Sequence, residues 1–186
     1  MLLYIHGFGS SAHSFKAQAL LKRCAERQIP AVCPNLPTVP QLAIQTLQDW
    51  VTLTRPNVIV GSSLGGFYAR WLAHRYELPA VLINPALRPD LRLLQVAPMA
   101  TQYFDGSSFE FNASHCQALE TLIVEGDQQH RLWLLSQRGD EVLDANEAIR
   151  LLPNARHTIE PGGDHGFHGF ERYLDEIIDW RAMHLP

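Results

Sequence analysis

A serine at the centre of a Gly-x-Ser-x-Gly motif is the residue in this sequence best placed to do chemistry. The β-branched run Val58-Ile59-Val60 leads directly into Gly61-Ser62-Ser63-Leu64-Gly65, after which apolar residues recur at helical spacing. This pattern predicts a strand, a sharp turn and a helix, with a strained turn exposing the serine hydroxyl at the carboxyl end of a sheet. The alternative is a glycine-rich turn of an ordinary α/β protein. We predict that Ser63 is a nucleophile.

A serine hydroxyl needs a base within hydrogen-bond reach and a third group that orients the base. Asp140 lies just past a predicted strand at 131–137, and His165 lies in a glycine-rich loop after a predicted strand at 156–160. In a parallel sheet such positions meet at the same edge. The chain order of Ser63, Asp140 and His165 is also the order expected for an α/β-hydrolase triad. We therefore predict Asp140 as the acid and His165 as the base.

The acid has competing candidates. The segment 121–127 also resembles a strand that ends in Gly-Asp, which would make Asp127 the acid. Asp140 is favoured because a helix follows it and continues the strand–helix alternation, whereas Asp127 would precede a strand. Glu141 and Asp144 remain alternatives.

The base has fewer competitors. His157 lies inside a predicted strand, where a satisfied structural role is expected, and His168 is predicted to lie one turn into the last helix. Asp164, beside His165, is interpreted as a turn residue or helix cap.

Acyl transfer also requires two N–H donors for the developing oxyanion. One is expected from Leu64, the residue after the nucleophile, at the start of a helix whose dipole favours an anion. The other is expected from Phe8, in the loop His6-Gly7-Phe8-Gly9 after the first strand. Phe8 could instead be a core anchor in a glycine turn, and the two roles are compatible because only its backbone N–H is used.

The elements that must position these groups alternate along the chain. Short apolar strands are predicted at 2–5, 31–34, 57–60, 80–83, 131–137 and 156–160, separated by amphipathic helices. Such a pattern predicts an α/β fold with a mostly parallel sheet covered on both faces. In residues 86–119 the apolar side chains recur with neither helical nor strand spacing. This segment is predicted to form an insertion over one end of the sheet, as a small cap or as one or two helices. The whole chain, 1–186, is predicted to be a single domain.

Composition excludes several classes of protein. The chain has 186 residues, is 46% hydrophobic and carries a formal net charge of −4, which gives no basic surface for nucleic acid or an anionic membrane. No apolar run is long enough to span a bilayer. Cys24, Cys33 and Cys116 lack metal-binding or disulfide spacing, and no signal peptide is recognised, so a cytoplasmic location is expected. No metal or organic cofactor is predicted, and no pattern defines an oligomeric state.

Taken together, the motifs that contain His6, Ser63, Asp140 and His165 resemble the α/β-hydrolase superfamily. More narrowly, the blocks at 3–8, 61–66, 83–89, 139–144 and 165–167 resemble the small bacterial YqiA-type esterases, in the same order over nearly the whole chain. The resemblance implies the compact α/β-hydrolase fold, with Ser63, Asp140 and His165 as nucleophile, acid and base.

The expected function is therefore a serine esterase that acts on a small-molecule acyl ester through an acyl-enzyme. An acyl-CoA thioesterase is the nearest alternative. The same fold also serves as a non-catalytic binding protein or supports carbon–carbon or peroxide chemistry, so those classes stay open at this stage.

Overall fold

The computed structural model describes residues 1–103, 105–126 and 128–180, apart from the side chain of Val96. Within these residues the strands are β1 (Leu2–Ile5), β2 (Ala31–Val32), β3 (Val58–Ser62), β4 (Ala80–Ile83), β5 (Met99–Thr101), β6 (Ser108–Glu110), β7 (Leu132–Gln137) and β8 (Arg156–Glu160). The α-helices are α1 (Phe15–Glu26), α2 (Pro40–Thr54), α3 (Leu64–Tyr76), α4 (Pro89–Leu93), α5 (Ala113–Glu120), α6 (Ala145–Leu151) and α7 (Leu174–Trp180). Short 3₁₀ helices occur at Leu94–Val96, Gln129–Arg131 and Phe170–Tyr173.

The described strands form one parallel sheet and one small hairpin. The sheet has the order β2-β1-β3-β4-β7-β8, and every neighbouring pair is parallel. All six carboxyl ends therefore lie along one edge, so the loops after β1, β3, β7 and β8 are brought to the same side of the molecule. β5 and β6 pair separately as an antiparallel hairpin.

Each face of the sheet packs against its own helices. Alternate residues of a strand point to opposite faces: Leu3 and Ile5 join a core with α2, α3 and α6, while Leu2 and Tyr4 join a second core with α1 and α7. The strands are buried on both sides, which explains why they read as continuous apolar runs in the sequence. The predicted α/β fold with helices on both faces is confirmed.

Residues 86–119 combine two short helices with the hairpin. α4 and the following 3₁₀ turn lead into β5, and β6 leads into α5, which begins with a capping box at Asn112 and His115. The segment contacts the loop after β1, since the Tyr103 N–H donates to the Gly9 carbonyl oxygen at 2.6 Å and the Phe8 ring packs against Phe109 and Phe111. The segment therefore contains helices and lies beside the predicted oxyanion loop, and its role as a small cap stays a prediction.

Several element boundaries differ from the prediction, and two of the differences have a clear physical reason. The second strand ends at Val32, because Pro34 has no N–H to donate to a ladder. The predicted last helix does not include Phe167 or His168: Phe167 has a φ of +63°, and the helical turns begin at Phe170. Among the described residues, no helix combines the length and apolar character needed to cross a bilayer.

Candidate active site

Ser63 occupies the sharp turn that joins β3 to α3. Its φ of +56° and ψ of −121° place it in a strained conformation, which turns the side chain out of both elements. The turn requires glycine on either side: a Cβ at Gly61 would lie 2.1 Å from the Gly65 carbonyl oxygen, and a Cβ at Gly65 would lie 2.1 Å from the Ile5 carbonyl oxygen. The predicted strand, turn and helix are present, and the two glycines allow the helix to pass close to the sheet.

The structure brings Ser63, His165 and Asp140 together in one hydrogen-bonded chain. The Ser63 Oγ lies 3.1 Å from His165 Nε2, and His165 Nδ1 lies 3.0 and 2.9 Å from the two carboxylate oxygens of Asp140. An Nδ1–H tautomer donates to Asp140 and leaves Nε2 free to accept the serine proton. The side chain of Asp140 is 2% exposed and that of His165 is 25% exposed, so the acid is enclosed while the base faces the cavity.

The carboxylate of Asp140 is held in its charged form. Burial by itself raises the pKa of Asp140, but the hydrogen bond with His165 and the backbone N–H groups of Leu143 and Val142 outweigh it, so the pKa of Asp140 lies below its usual value. Those N–H groups donate to Oδ1 at 2.8 and 2.9 Å. The charged carboxylate can therefore orient the imidazole and stabilise its protonated form.

The competing acids have other positions. The Asp144 carboxylate caps α6 by accepting from the Asn146 N–H at 2.9 Å, and Glu141 accepts from the backbone N–H of His165 at 3.0 Å. Residues 121–126 form turns and no strand, and Asp127 lies outside the described residues.

The competing bases also lie elsewhere. The His157 Nε2 contacts the Leu152 carbonyl oxygen at 2.6 Å, which is a structural pairing. His168 is exposed, in the turns before Phe170 and not in a helix as predicted, and its backbone is bound to Gln137.

The predicted oxyanion donors lie beside Ser63. The loop after β1 approaches the turn so closely that a Cβ at Gly7 would lie 3.2 Å from the Ser63 Cβ. Within the described residues, the backbone N–H groups of Phe8 and Leu64 have no acceptor, as expected of donors reserved for a ligand. His6 fixes this loop, because its Nε2 accepts from the Leu36 N–H at 3.2 Å; burial lowers the pKa of His6, which favours its neutral ring.

Asn84 and Gln137 support the loop that carries His165, and sequence reasoning missed both roles. The Asn84 amide donates to the carbonyl oxygens of Asp164 and His165 at 3.0 and 3.3 Å, while its Oδ1 accepts from the Gln137 N–H at 2.9 Å. The Gln137 Oε1 accepts from the N–H groups of Asp164 and His168 at 3.1 and 2.9 Å. A polar residue at the end of an apolar strand was the available signal, since both lie at the catalytic edge of the sheet.

Replacing Gln137 with methionine should weaken both the fold and the site. The change keeps the side-chain volume but leaves two loop N–H groups without their acceptor in a side-chain site that is 2% exposed. We expect the free energy of unfolding to fall by about 1–3 kcal/mol, measured by urea denaturation, with a lower kcat because His165 loses part of its support. Gln45→Met, on the exposed face of α2, is the matched control and should change neither quantity.

Two cavities that share several lining residues open beside Ser63. The first, of about 600 Å³, is lined mainly by apolar residues and is called here the apolar cavity. Its lining includes Leu64, Leu93, Met99, Val142 and Leu143. The second, of about 410 Å³, is lined by His165 and by the first turn of α1 and is called here the histidine-side cavity. Ser63 and Phe8 border both cavities, so a ligand at the serine can extend in two directions.

The described residues contain neither a cluster of metal ligands nor a disulfide. Within the described ranges, no cluster of three His, Cys, Asp or Glu side chains is placed to hold a metal ion. Cys24, Cys33 and Cys116 are buried and form no disulfide with one another, and the predicted cytoplasmic location remains a prediction.

The parallel sheet and the sharp serine turn after β3 define an α/β-hydrolase fold. The chain belongs to the family described as "Uncharacterised protein family (UPF0227)", whose model matches residues 1–182, and the YqiA-type resemblance is thereby confirmed.

Solved structures share this fold at low identity. Est1E from Butyrivibrio proteoclasticus with bound ferulic acid matches with a TM-score of 0.75 at 13% identity, over 98% of this chain and 88% of that chain. The mouse alpha/beta hydrolase domain-containing protein 10 matches with a TM-score of 0.74 at 15% identity, over 96% and 89%. The Paleococcus ferrophilus monoacylglycerol lipase matches with a TM-score of 0.73 at 14% identity, over 99% and 94%. These likenesses show the fold.

Proposed function

We propose that this protein is a serine esterase that hydrolyses carboxylic esters through an acyl-enzyme. The observation that carries the proposal is the 3.1 Å contact between the Ser63 Oγ and an imidazole whose other nitrogen is bound to a buried carboxylate. This is the arrangement by which a weakly nucleophilic hydroxyl is activated. The names of the structural neighbours, an esterase domain and a monoacylglycerol lipase among them, support an ester substrate.

In the first half-reaction, the Ser63 Oγ forms a bond to the carbonyl carbon of the ester while its proton passes to His165 Nε2. The carbonyl electrons move to the oxygen, which the N–H groups of Phe8 and Leu64 stabilise. When the intermediate collapses, the bond to the leaving oxygen breaks and that oxygen takes the proton from Nε2. Asp140 holds the ring in the required tautomer and stabilises its charge.

In the second half-reaction, water enters where the alcohol has left. His165 accepts a proton from the water while the water oxygen bonds to the acyl carbon. The bond between that carbon and Ser63 Oγ then breaks, Oγ takes the proton back from Nε2, and the carboxylic acid product departs. Every step uses side chains and N–H groups of this chain together with the substrate and water.

The apolar cavity suits the acyl chain of the substrate. The segment 86–101 provides much of its wall through α4 and β5, including Leu93 and Met99, and the loop after β7 provides Val142. We assign 86–119 as a small cap on the single domain, and the side chains on this wall would limit acyl length. A thioester fits the same geometry, since the acyl group would bind identically. We also propose that the protein acts in the cytoplasm.

Labelling with a fluorophosphonate tests the proposal directly. A neutral alkyl fluorophosphonate should modify Ser63 at one equivalent per chain, because the activated oxygen displaces fluoride, and peptide mass spectrometry locates the adduct. Hydrolysis of p-nitrophenyl esters and acyl-CoA thioesters of increasing chain length would then define the substrate. A protein that neither reacts with the probe nor hydrolyses any ester or thioester would be a binding protein, and the proposal would be wrong.

A further inference from the structure

The two cavities can be assigned to the two halves of an ester from the position of the base. The group that leaves must receive its proton from His165 Nε2, so the leaving oxygen must lie on the side of the serine where the imidazole is. His165 borders the histidine-side cavity and is absent from the lining of the apolar cavity. The alcohol therefore extends into the histidine-side cavity, and the acyl chain extends into the apolar cavity.

The alcohol side carries a positive charge from Lys16. Lys16 lies in the first turn of α1 and lines the histidine-side cavity, together with Ser14 and Gly166. Its Nζ donates to the Gly166 carbonyl oxygen at 2.8 Å, which uses one of three ammonium protons. In the described part of the chain no carboxylate lies within ion-pair distance of this nitrogen.

The charges around Lys16 leave it able to bind an anion. Burial lowers the pKa of Lys16, while the charges of Asp164 and Asp140 act in the opposite direction. Neither aspartate lines the cavity, so both act on Lys16 from outside it. The apolar cavity differs, because its cation, Arg92, is paired with Glu147 at 3.3 Å.

Other residues that line the histidine-side cavity also carry hydrogen-bond donors. The lining includes the amino-terminal turn of α1, whose N–H groups and dipole favour negative charge. The Ser14 Oγ is buried without a hydrogen-bond partner among the described residues, and Ser10 also borders the cavity. The histidine-side cavity is thus lined by a cation, a helix amino terminus and two serine residues.

We propose that Lys16 is a specificity-determining residue that selects esters whose alcohol carries an anionic oxygen group, a carboxylate or a phosphate. The inference rests on the proposed esterase function and names the substrate class of that site. The group binds the Lys16 ammonium beyond the leaving oxygen, while the acyl chain remains in the apolar cavity. An unpaired, partly desolvated ammonium gains more from an anion than from water or a neutral group.

A set of butanoyl esters with different alcohols tests this assignment. The anionic substrates are 4-butanoyloxybenzoate and 4-butanoyloxyphenyl phosphate, and the neutral reference is methyl 4-butanoyloxybenzoate. For each enzyme the measured quantity is kcat/KM on an anionic ester divided by kcat/KM on the neutral ester. The wild-type ratio is then divided by the ratio measured for a variant. Differences in chemical reactivity between the phenols cancel, because both proteins are given the same esters.

We expect Lys16→Met to lower this ratio by about tenfold to a hundredfold, the effect of losing a hydrogen bond to a charged group. Lys16→Arg should restore most of it, and added salt should weaken the preference of the wild-type protein. Lys22→Met, on the exposed side of the same helix, should leave the ratio unchanged. Whichever anionic ester gives the larger ratio with the wild-type protein identifies the preferred anionic group as a carboxylate or a phosphate.

The outcomes separate this inference from the proposed function. An unchanged ratio in Lys16→Met, or an equal loss on anionic and neutral esters, overturns the role of Lys16 while leaving the esterase intact. Normal fluorophosphonate labelling of Lys16→Met shows that its serine remains reactive. A wild-type protein that hydrolyses none of the three esters and does not label overturns both.

Discussion

Replacing Ser63 with alanine is expected to lower kcat for ester hydrolysis by about 10⁶-fold, the size of the loss found when a serine hydrolase loses its nucleophile. Without the Oγ no acyl-enzyme forms, and only the N–H donors and binding remain. Release of p-nitrophenol from p-nitrophenyl butyrate, corrected for buffer hydrolysis, measures the change.

The fold should survive this substitution. Ser63 is partly exposed, and alanine can adopt its φ of +56° at a cost similar to that of serine. We therefore expect an unchanged or slightly raised Tm, because strained active-site residues are often unfavourable for stability. Ser62→Ala, one residue earlier and buried in β3, is the matched control and should keep most of the activity. Retention of wild-type turnover by Ser63→Ala would rule out the covalent mechanism.

The second large effect is expected at Asp140. Asp140→Asn keeps the shape of the side chain but removes the charge that holds Nδ1–H of His165 and stabilises the imidazolium. A loss in kcat of about 10⁴-fold is expected, as for the equivalent change in a serine protease. The same p-nitrophenyl ester assay, with KM measured separately, should place the loss mainly in kcat.

Competing acids provide controls of the same chemistry. Asp144→Asn should leave kcat unchanged, because asparagine caps a helix as well as aspartate does and Asp144 only caps α6. Asp127→Asn is also expected to retain activity. A 10⁴-fold loss in either of these variants, with Asp140→Asn active, would show that the acid has been assigned to the wrong residue.

Local patterns predicted most of the fold. The apolar strands read clearly because both faces of the parallel sheet are covered, and the fold class and family resemblance are confirmed. The errors lie where local signals are weak. The last helix begins later than its apolar spacing suggested, because Phe167 belongs to a turn with positive φ, and the hairpin in 86–119 has strands of three residues with little alternation to detect.

What the sequence determined by itself is the serine turn and the chain order of its partners, because the glycines at 61 and 65 and the adjoining strand and helix are neighbours in the chain. The tertiary structure places Asp140, and neither Glu141 nor Asp144, against the ring nitrogen of His165, since the strand order puts the loop after β7 near the loop after β3, with β4 between them. It also decided that Asn84 and Gln137 hold the histidine loop and that Lys16 reaches Gly166, 150 positions away in the chain. Side-chain periodicity fixes which face a residue occupies, but the order of the strands fixes which loops meet.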